Sequence, residues 1–233
     1  MKLRGILATS IAVVIAFFGA VGLCLHALSL PAPASAQPSF RIVLDAGHGG
    51  IDGGVVGVKT GVKESDLNLA ITLQLSDRLS SLGCEVTLTR RTQDGLYGTT
   101  AAGFKKRDML KRKEIVEAAS PQFVISIHQN YFPSHAQRGA QVFFAAGDEQ
   151  SRALAENIQT GLNLLYESKG VKARSAMAGD YFMLRLCAPS VIVECGFLSS
   201  EKDEALLCSD DFQRRLCQQI TAAALETFSF SAT

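Results

Sequence analysis

The chain has 233 residues, 47% of them hydrophobic and 19% charged, which suits one globular domain plus an export segment. A formal net charge of +1 excludes a bulk electrostatic attraction to nucleic acid.

The first 36 residues read as an export segment rather than as part of the fold. Lys2 and Arg4 precede an apolar stretch from Ile6 to Leu30, and Ala34-Ser35-Ala36 gives a small-x-small cleavage pattern before Gln37. The apolar stretch exceeds the ~7–15 residues usual in a signal peptide. It is long enough to span a bilayer, so a cleaved signal and a retained anchor both stay open. Residues 37–39 close a short linker rich in proline and alanine, and the domain is expected over 40–230.

Phe40 to Leu44 is a short apolar run that enters a glycine-rich loop, Asp45-Ala46-Gly47-His48-Gly49-Gly50, as a strand would. Leu67, Ile71, Leu75, Leu79 and Leu82 then recur at helical spacing, and Gly83 stops the helix. Glu85 to Thr89 is the next strand. The alternation repeats with a helix around 105–119 and strands at Phe123–Ile127 and Val142–Phe144. A helix through Leu154, Ile158, Leu162 and Leu165 follows, then a strand at Ser190–Val193 and a closing helix through Phe212, Leu216, Ile220 and Ala224. Short apolar strands alternating with amphipathic helices predict an α/β domain: a twisted, largely parallel sheet flanked by helices on both faces.

The densest basic run, Lys105-Lys106-Arg107 with Lys111-Arg112-Lys113, is interrupted by Asp108 and followed by Glu114, and reads as the solvated face of its helix. Contact with an anionic wall polymer is the lesser reading. Cys84, Cys187, Cys195, Cys208 and Cys217 cannot all pair within one chain, and none shows the short spacing of a thiolate zinc site. They are expected to be buried, reduced thiols.

Three apolar strands lead to potential metal ligands or bases: Ile42–Leu44 to His48, Val124–Ile127 to His128, and Val191–Val193 to Glu194. The carboxyl ends of parallel strands share one edge, so residues this far apart can converge there. Glu64, at the far end of the glycine-rich loop, can fold back to the same edge. Two imidazoles and a carboxylate form a common catalytic zinc set, and a further carboxylate is then needed to move a proton. Each residue alone has a plainer reading: His48 and His128 as loop or strand-end histidines, and Glu64 as a helix-entry carboxylate. Glu194, after four residues of a buried strand, is the hardest to explain without a use. His135 reads as an exposed loop histidine.

The motifs narrow these alternatives. Leu44 to Gly50, Lys63-Glu64 with Leu67 to Ala70, Val86 to Arg90, Ser126 to Asn130 and Val193 to Ser199 occur in the order found in the zinc-dependent N-acetylmuramoyl-L-alanine amidases. The chain resembles that type 3 amidase family from about Arg41 to Phe228. The resemblance implies a twisted α/β sheet, Zn2+ held by His48, Glu64 and His128, and Glu194 as the catalytic glutamate. It implies hydrolysis of the amide between N-acetylmuramic acid and the L-alanine of the peptidoglycan stem. Cys195, Ser200-Glu201 and Gln129 to Ser134 depart from the usual pattern, which bears on pocket shape and substrate choice.

The Tyr131-Phe132-Pro133-Ser134 stretch and the single catalytic domain resemble the germination-specific branch, implying action on spore cortex and preparation of muramic acid for its δ-lactam. Expected partners are thus peptidoglycan of wall or cortex, no nucleic acid, and the membrane only through an uncleaved N-terminal segment. An accessory protein stays open, and the location is extracytoplasmic, secreted or anchored at the wall. The rival readings are another zinc-dependent peptidoglycan peptidase or deacetylase, and a non-catalytic wall-binding protein.

Overall fold

A computed structural model describes residues 40–231 of the chain. The export segment and linker expected from the sequence lie outside the described residues. Among the described residues, no helix is long and apolar enough to cross a membrane.

Six strands form one sheet: β1 (Arg41–Ala46), β2 (Glu85–Leu88), β3 (Phe123–Asn130), β4 (Gln141–Ala145), β5 (Met177–Gly179) and β6 (Ser190–Phe197). Their spatial order is β2-β1-β3-β6-β4-β5. β2, β1, β3 and β6 run parallel, whereas β4 pairs antiparallel to β6 and carries β5 parallel to itself. The helices are α1 (Glu64–Ser81), α2 (Phe104–Ala119), α3 (Glu149–Glu167), α4 (Glu201–Leu207) and α5 (Asp210–Ser231), with a 3-10 turn at Phe182–Leu184. This is the expected α/β architecture with a largely parallel sheet. The sequence reading passed over β5, α4 and the 3-10 turn, each too short to display a period.

The side-chain alternation of the central strands divides the core in two. Ile42, Leu44, Ile125, Ile127, Val191 and Val193 face α1, α3 and α5 in the larger cluster, with Ile71, Leu75, Ile158, Leu162 and Leu216 opposite them. Val43, Val124 and Ile192 face the other way, against Val116 of α2 and Met183 and Leu184 of the 3-10 turn. Strands covered on both faces read as continuous apolar runs, which is why they were visible in the sequence. On the α2 face the same period of two carries Val43 on to Asp45, Val124 to Ser126 and His128, and Ile192 to Glu194.

The basic run on α2 departs from expectation. Arg112 is 0% exposed and Asp108 is also buried, so these two turn inward while Lys105, Lys106 and Lys111 stay exposed as expected. Arg112 donates from Nη1 to Asp45 Oδ1 at 2.5 Å and from Nε to Asp108 Oδ2 at 2.7 Å. Burial would raise the pKa of Asp45, which is 1% exposed, but the Arg112 guanidinium and a hydrogen bond from Ser126 outweigh it and hold the value down to about 2. An i,i+4 stripe of Asp108, Arg112 and Val116 is thus the packing face of α2. Its partner Asp45 lies 67 residues away in sequence, so charge pattern alone could not reveal the pairing. Lys111 and Lys113 remain on the outside, paired with Glu114 and Glu117.

The five mature-chain cysteines are free; Cys84, Cys195 and Cys217 are buried as expected, but Cys187 and Cys208 are exposed. Cys187 follows the 3-10 turn in a surface loop, and Cys208 caps α4 at its carboxyl end.

Removing one member of a buried ion pair leaves an uncompensated charge in a dry environment. Arg112→Met is therefore expected to destabilise the domain by about 3–5 kcal/mol, against less than about 0.5 kcal/mol for Lys113→Met. Urea unfolding of the two variants measures the difference, and equal midpoints would contradict the buried pairing.

Candidate metal and hydrolytic site

His48 lies just beyond β1, two residues after the strand ends at Ala46. Its backbone is left-handed, with φ at 60°, a conformation uncommon outside glycine. Arg112 Nη2 donates to the His48 carbonyl at 2.6 Å and holds that turn. Gly47 is required by crowding, because a Cβ there would stand 2.2 Å from the His128 ring. His128 and Glu194 were expected at the ends of their strands, but β3 and β6 continue past them. They are direct register partners in the parallel pair, so their side chains share the α2 face.

Glu64 is the first residue of α1, brought back over the sheet edge by the loop that follows His48. Glu204 of α4 secures this loop by accepting from the backbone N–H groups of Lys59 and Thr60, both at 2.7 Å, and from the Thr60 hydroxyl at 2.6 Å. Val55 N–H donates to Glu64 Oε2 at 2.9 Å. Gly54 leaves room for that contact, since a Cβ there would come within 2.4 Å of the same oxygen.

The three side chains meet at one point. Glu64 Oε1 stands 3.2 Å from His48 Nε2 and 2.9 Å from His128 Nδ1. One ligand atom from each of the three residues lies within 4.8 Å of the other two. Glu64 is only 2% exposed. Burial by itself would raise its pKa, but hydrogen bonds with His128 and His48 prevail and hold it well below the usual carboxylate range. His48 presents its other nitrogen, Nδ1, to Asp52 Oδ2 at 3.2 Å. A carboxylate on the far nitrogen of an imidazole fixes its tautomer and orientation, as is usual around metal-binding histidines. The donor set of two nitrogens and one oxygen suits zinc, with an open position for a reacting group.

Glu194 has the opposite electrostatics. Its Oε2 is buried, and no protein group among the described residues donates to it. Burial drives its pKa up to about 7; the pull of His128 opposes this and the nearby Glu64 charge adds to it. A buried, unsatisfied carboxylate costs stability, and such groups concentrate where chemistry is done.

Beside these residues is a cavity of about 280 Å3 that reaches His48, Asp52 and His128. Its outer wall is largely apolar, built from Tyr97, Phe104, Met109, Phe182 and Met183. His135, by contrast, is exposed and held by the Ser199 carbonyl, with Nδ1 2.7 Å away. The structure thus brings together all four residues singled out from the sequence and leaves His135 outside them. Sequence reading missed Asp52 and Asn68, which contact His48 and Glu64, and Arg90, which contacts the backbone of the neighbouring Gly47 and Ser65. The available signals were an acidic residue four positions after His48 and a polar one four positions after Glu64.

The family described as N-acetylmuramoyl-L-alanine amidase matches residues 42–226. The germination-specific N-acetylmuramoyl-L-alanine amidase of Bacillus subtilis (strain 168) is 31% identical over 191 residues, spanning 81% of this chain and 79% of that protein. Among solved structures, the CwlD amidase of Clostridioides difficile, in complex with the GerS lipoprotein, superimposes with a TM-score of 0.77 at 34% identity. The match covers 82% of this chain and 99% of that one. The catalytic domain of CwlV, an N-acetylmuramoyl-L-alanine amidase of Bacillus (Paenibacillus) polymyxa var. colistinus, gives 0.68 at 29% identity, covering 80% and 97%.

The raised pKa of Glu194 carries a stability consequence for the metal-free protein. An acid whose folded pKa exceeds its unfolded value binds more protons when folded, so its contribution falls as pH rises from about 4.5 through about 7. Glu194→Gln removes that loss. Its stability advantage over the parent chain is expected to grow between pH 5 and pH 8, reaching on the order of 2 kcal/mol. Urea unfolding in chelator reads this out, and a pH-independent difference would contradict the shift.

Proposed function

This chain belongs to the N-acetylmuramoyl-L-alanine amidase family, and from that premise we propose that His48, Glu64 and His128 hold a zinc ion while Glu194 serves as general base. The reaction is hydrolysis of the amide joining N-acetylmuramic acid to the stem peptide of peptidoglycan. The observation that carries the site assignment is the convergence of two imidazoles on one buried carboxylate, with Glu194 in register beside His128.

A zinc ion in this position supplies Lewis acidity, which lowers the pKa of water and polarises a carbonyl oxygen. The chain's own groups do the rest. Asp52 holds His48 Nδ1, so that Nε2 faces Glu64 and the site. Glu64 places a charge between the two rings. Glu194 takes a proton from the attacking water and returns it to the departing L-alanine nitrogen. Its burial with no donor to Oε2 raises its pKa in the metal-free chain, the direction that suits a group exchanging a proton.

The finer reading is action on spore cortex, where removal of the stem peptide prepares muramic acid for δ-lactam formation. Its support is the Tyr131–Ser134 stretch together with the likeness to a germination-specific amidase and to CwlD. The enzyme then acts outside the cytoplasm, exported through residues 1–36 as a cleaved signal or an anchor. An accessory protein is a proposed partner, on the ground that CwlD was solved with a lipoprotein. Spores of a deletion strain should lack muramic δ-lactam; unchanged cortex would count against the cortex assignment.

Digestion of purified peptidoglycan by the zinc-loaded full-length protein should release intact stem peptides with an L-alanine amino terminus, and chelation should abolish release. Products cut within the stem, or free acetate, would indicate the rival peptidase or deacetylase chemistry. Glu194→Gln should retain zinc and lose about 10²–10⁴-fold in turnover, the range associated with a general acid–base group. A zinc-replete Glu194→Gln protein with full activity would exclude the assigned role.

A further inference from the structure

Asn68 is the fifth residue of the 18-residue helix α1 and is 0% exposed, although asparagine is a poor helix former and a buried polar side chain must be matched. It lies one helical turn beyond Glu64, on the same face of the helix. Its amide makes three contacts, each to a different ligand-bearing segment. Nδ2 donates to the Gly47 carbonyl at 3.1 Å, next to His48. Nδ2 also lies 3.3 Å from Glu64 Oε1. Oδ1 accepts from Gln129 Nε2 at 3.1 Å, next to His128. Gln129 adds a backbone N–H to Glu64 Oε1 at 3.1 Å.

A second side chain reinforces the same junction. Arg90 Nη2 donates to the Gly47 carbonyl at 3.0 Å and to the Ser65 carbonyl, beside Glu64, at 2.8 Å. Its Nε donates to the Ala46 carbonyl at 2.9 Å. Gly47 O thus receives two donors, one from α1 and one from the segment after β2, which fixes the turn presenting His48 relative to the start of α1. No one of the three segments is adjacent to another in sequence.

We propose that Asn68, braced by Arg90, is the positioning residue that holds His48, Glu64 and His128 in metal-binding register before any ion arrives. The proposal rests on the reading of those three residues as ligands. Asn68 touches no reacting group; it acts by fixing the rotation of the Glu64 carboxylate and the separation of the two histidine segments. Partners in this outer shell characteristically change metal affinity about 10–100-fold when removed.

The test is a cobalt(II) titration of the full-length, metal-free protein, following visible absorption from the bound ion, with zinc affinity measured by competition against a chelator. Asn68→Ala is expected to weaken both metals about 10–100-fold and to alter the cobalt spectrum, while the metal-free protein keeps a cooperative unfolding transition. Arg90→Lys keeps the charge but not the planar fork that spans Gly47 and Ser65, and is expected to move affinity in the same direction. It carries the test if Asn68→Ala does not fold. A folded Asn68→Ala protein, or Arg90→Lys in its place, with parental affinity and spectrum overturns the proposal while leaving the ligand assignment intact. A parent chain that binds no cobalt overturns the ligand assignment and the proposal with it.

Discussion

The Glu64 carboxylate is buried between two imidazoles, and most of the surrounding structure follows from keeping it there. A carboxylate with so little access to water is stable only when several donors replace its hydration. Those donors come from several parts of the chain: the Val55 and Gln129 backbone amides, the Asn68 side chain and the two histidines. The loop before α1 must return to the sheet edge to deliver the residue, which is why Glu204 of the short α4 clamps that loop and why Gly54 has no side chain. A helix placed elsewhere on the sheet could bury the same leucines but could not supply this oxygen.

Beneath that layer is a second one made of charge. Asp45, Arg112 and Asp108 form a buried cluster, with Thr89 and Ser126 completing the hydrogen bonds of Asp45. Arg112 also donates to the carbonyls of Ala46 and His48, so the ion pair and the backbone of the site are one unit. Replacing such a pair with apolar side chains would often cost little in stability. Here it would also release the turn that carries His48, so geometry at the site gives a reason for charge at this depth.

Two glutamates in one small site are driven in opposite directions by their surroundings. Glu64 is desolvated but surrounded by donors and imidazoles, and stays ionised; Glu194 is desolvated with no donor to Oε2, and is pushed toward neutrality. Environments that separate the pKa values of neighbouring carboxyls are a recurrent way of assigning one to charge stabilisation and the other to proton transfer. The shared register of His128 and Glu194 on adjacent parallel strands sets their spacing, so the sheet fixes the second carboxylate as firmly as the loop fixes the first.

The sequence by itself determined the long elements, and it singled out His48, Glu64, His128 and Glu194 as candidates that the structure brings to one edge of the sheet. Strands buried on both faces must be apolar throughout, helices on a sheet must repeat every three to four residues, and a Glu placed directly after a buried apolar run is conspicuous. The segments beyond that reach were the short ones, β5, α4 and the 3-10 turn, whose existence depends on what they pair with. Charge was misread for the same reason. Arg112 and Asp108 looked solvated because most charged side chains are, and only the packing of α2 over Asp45 makes their burial favourable. Asn68 stands one helical turn after Glu64, but nothing local marks its other contacts or those of Arg90. Those join residues 21 to 61 positions apart, so their part in the site exists only once the tertiary structure has brought three segments around one amide.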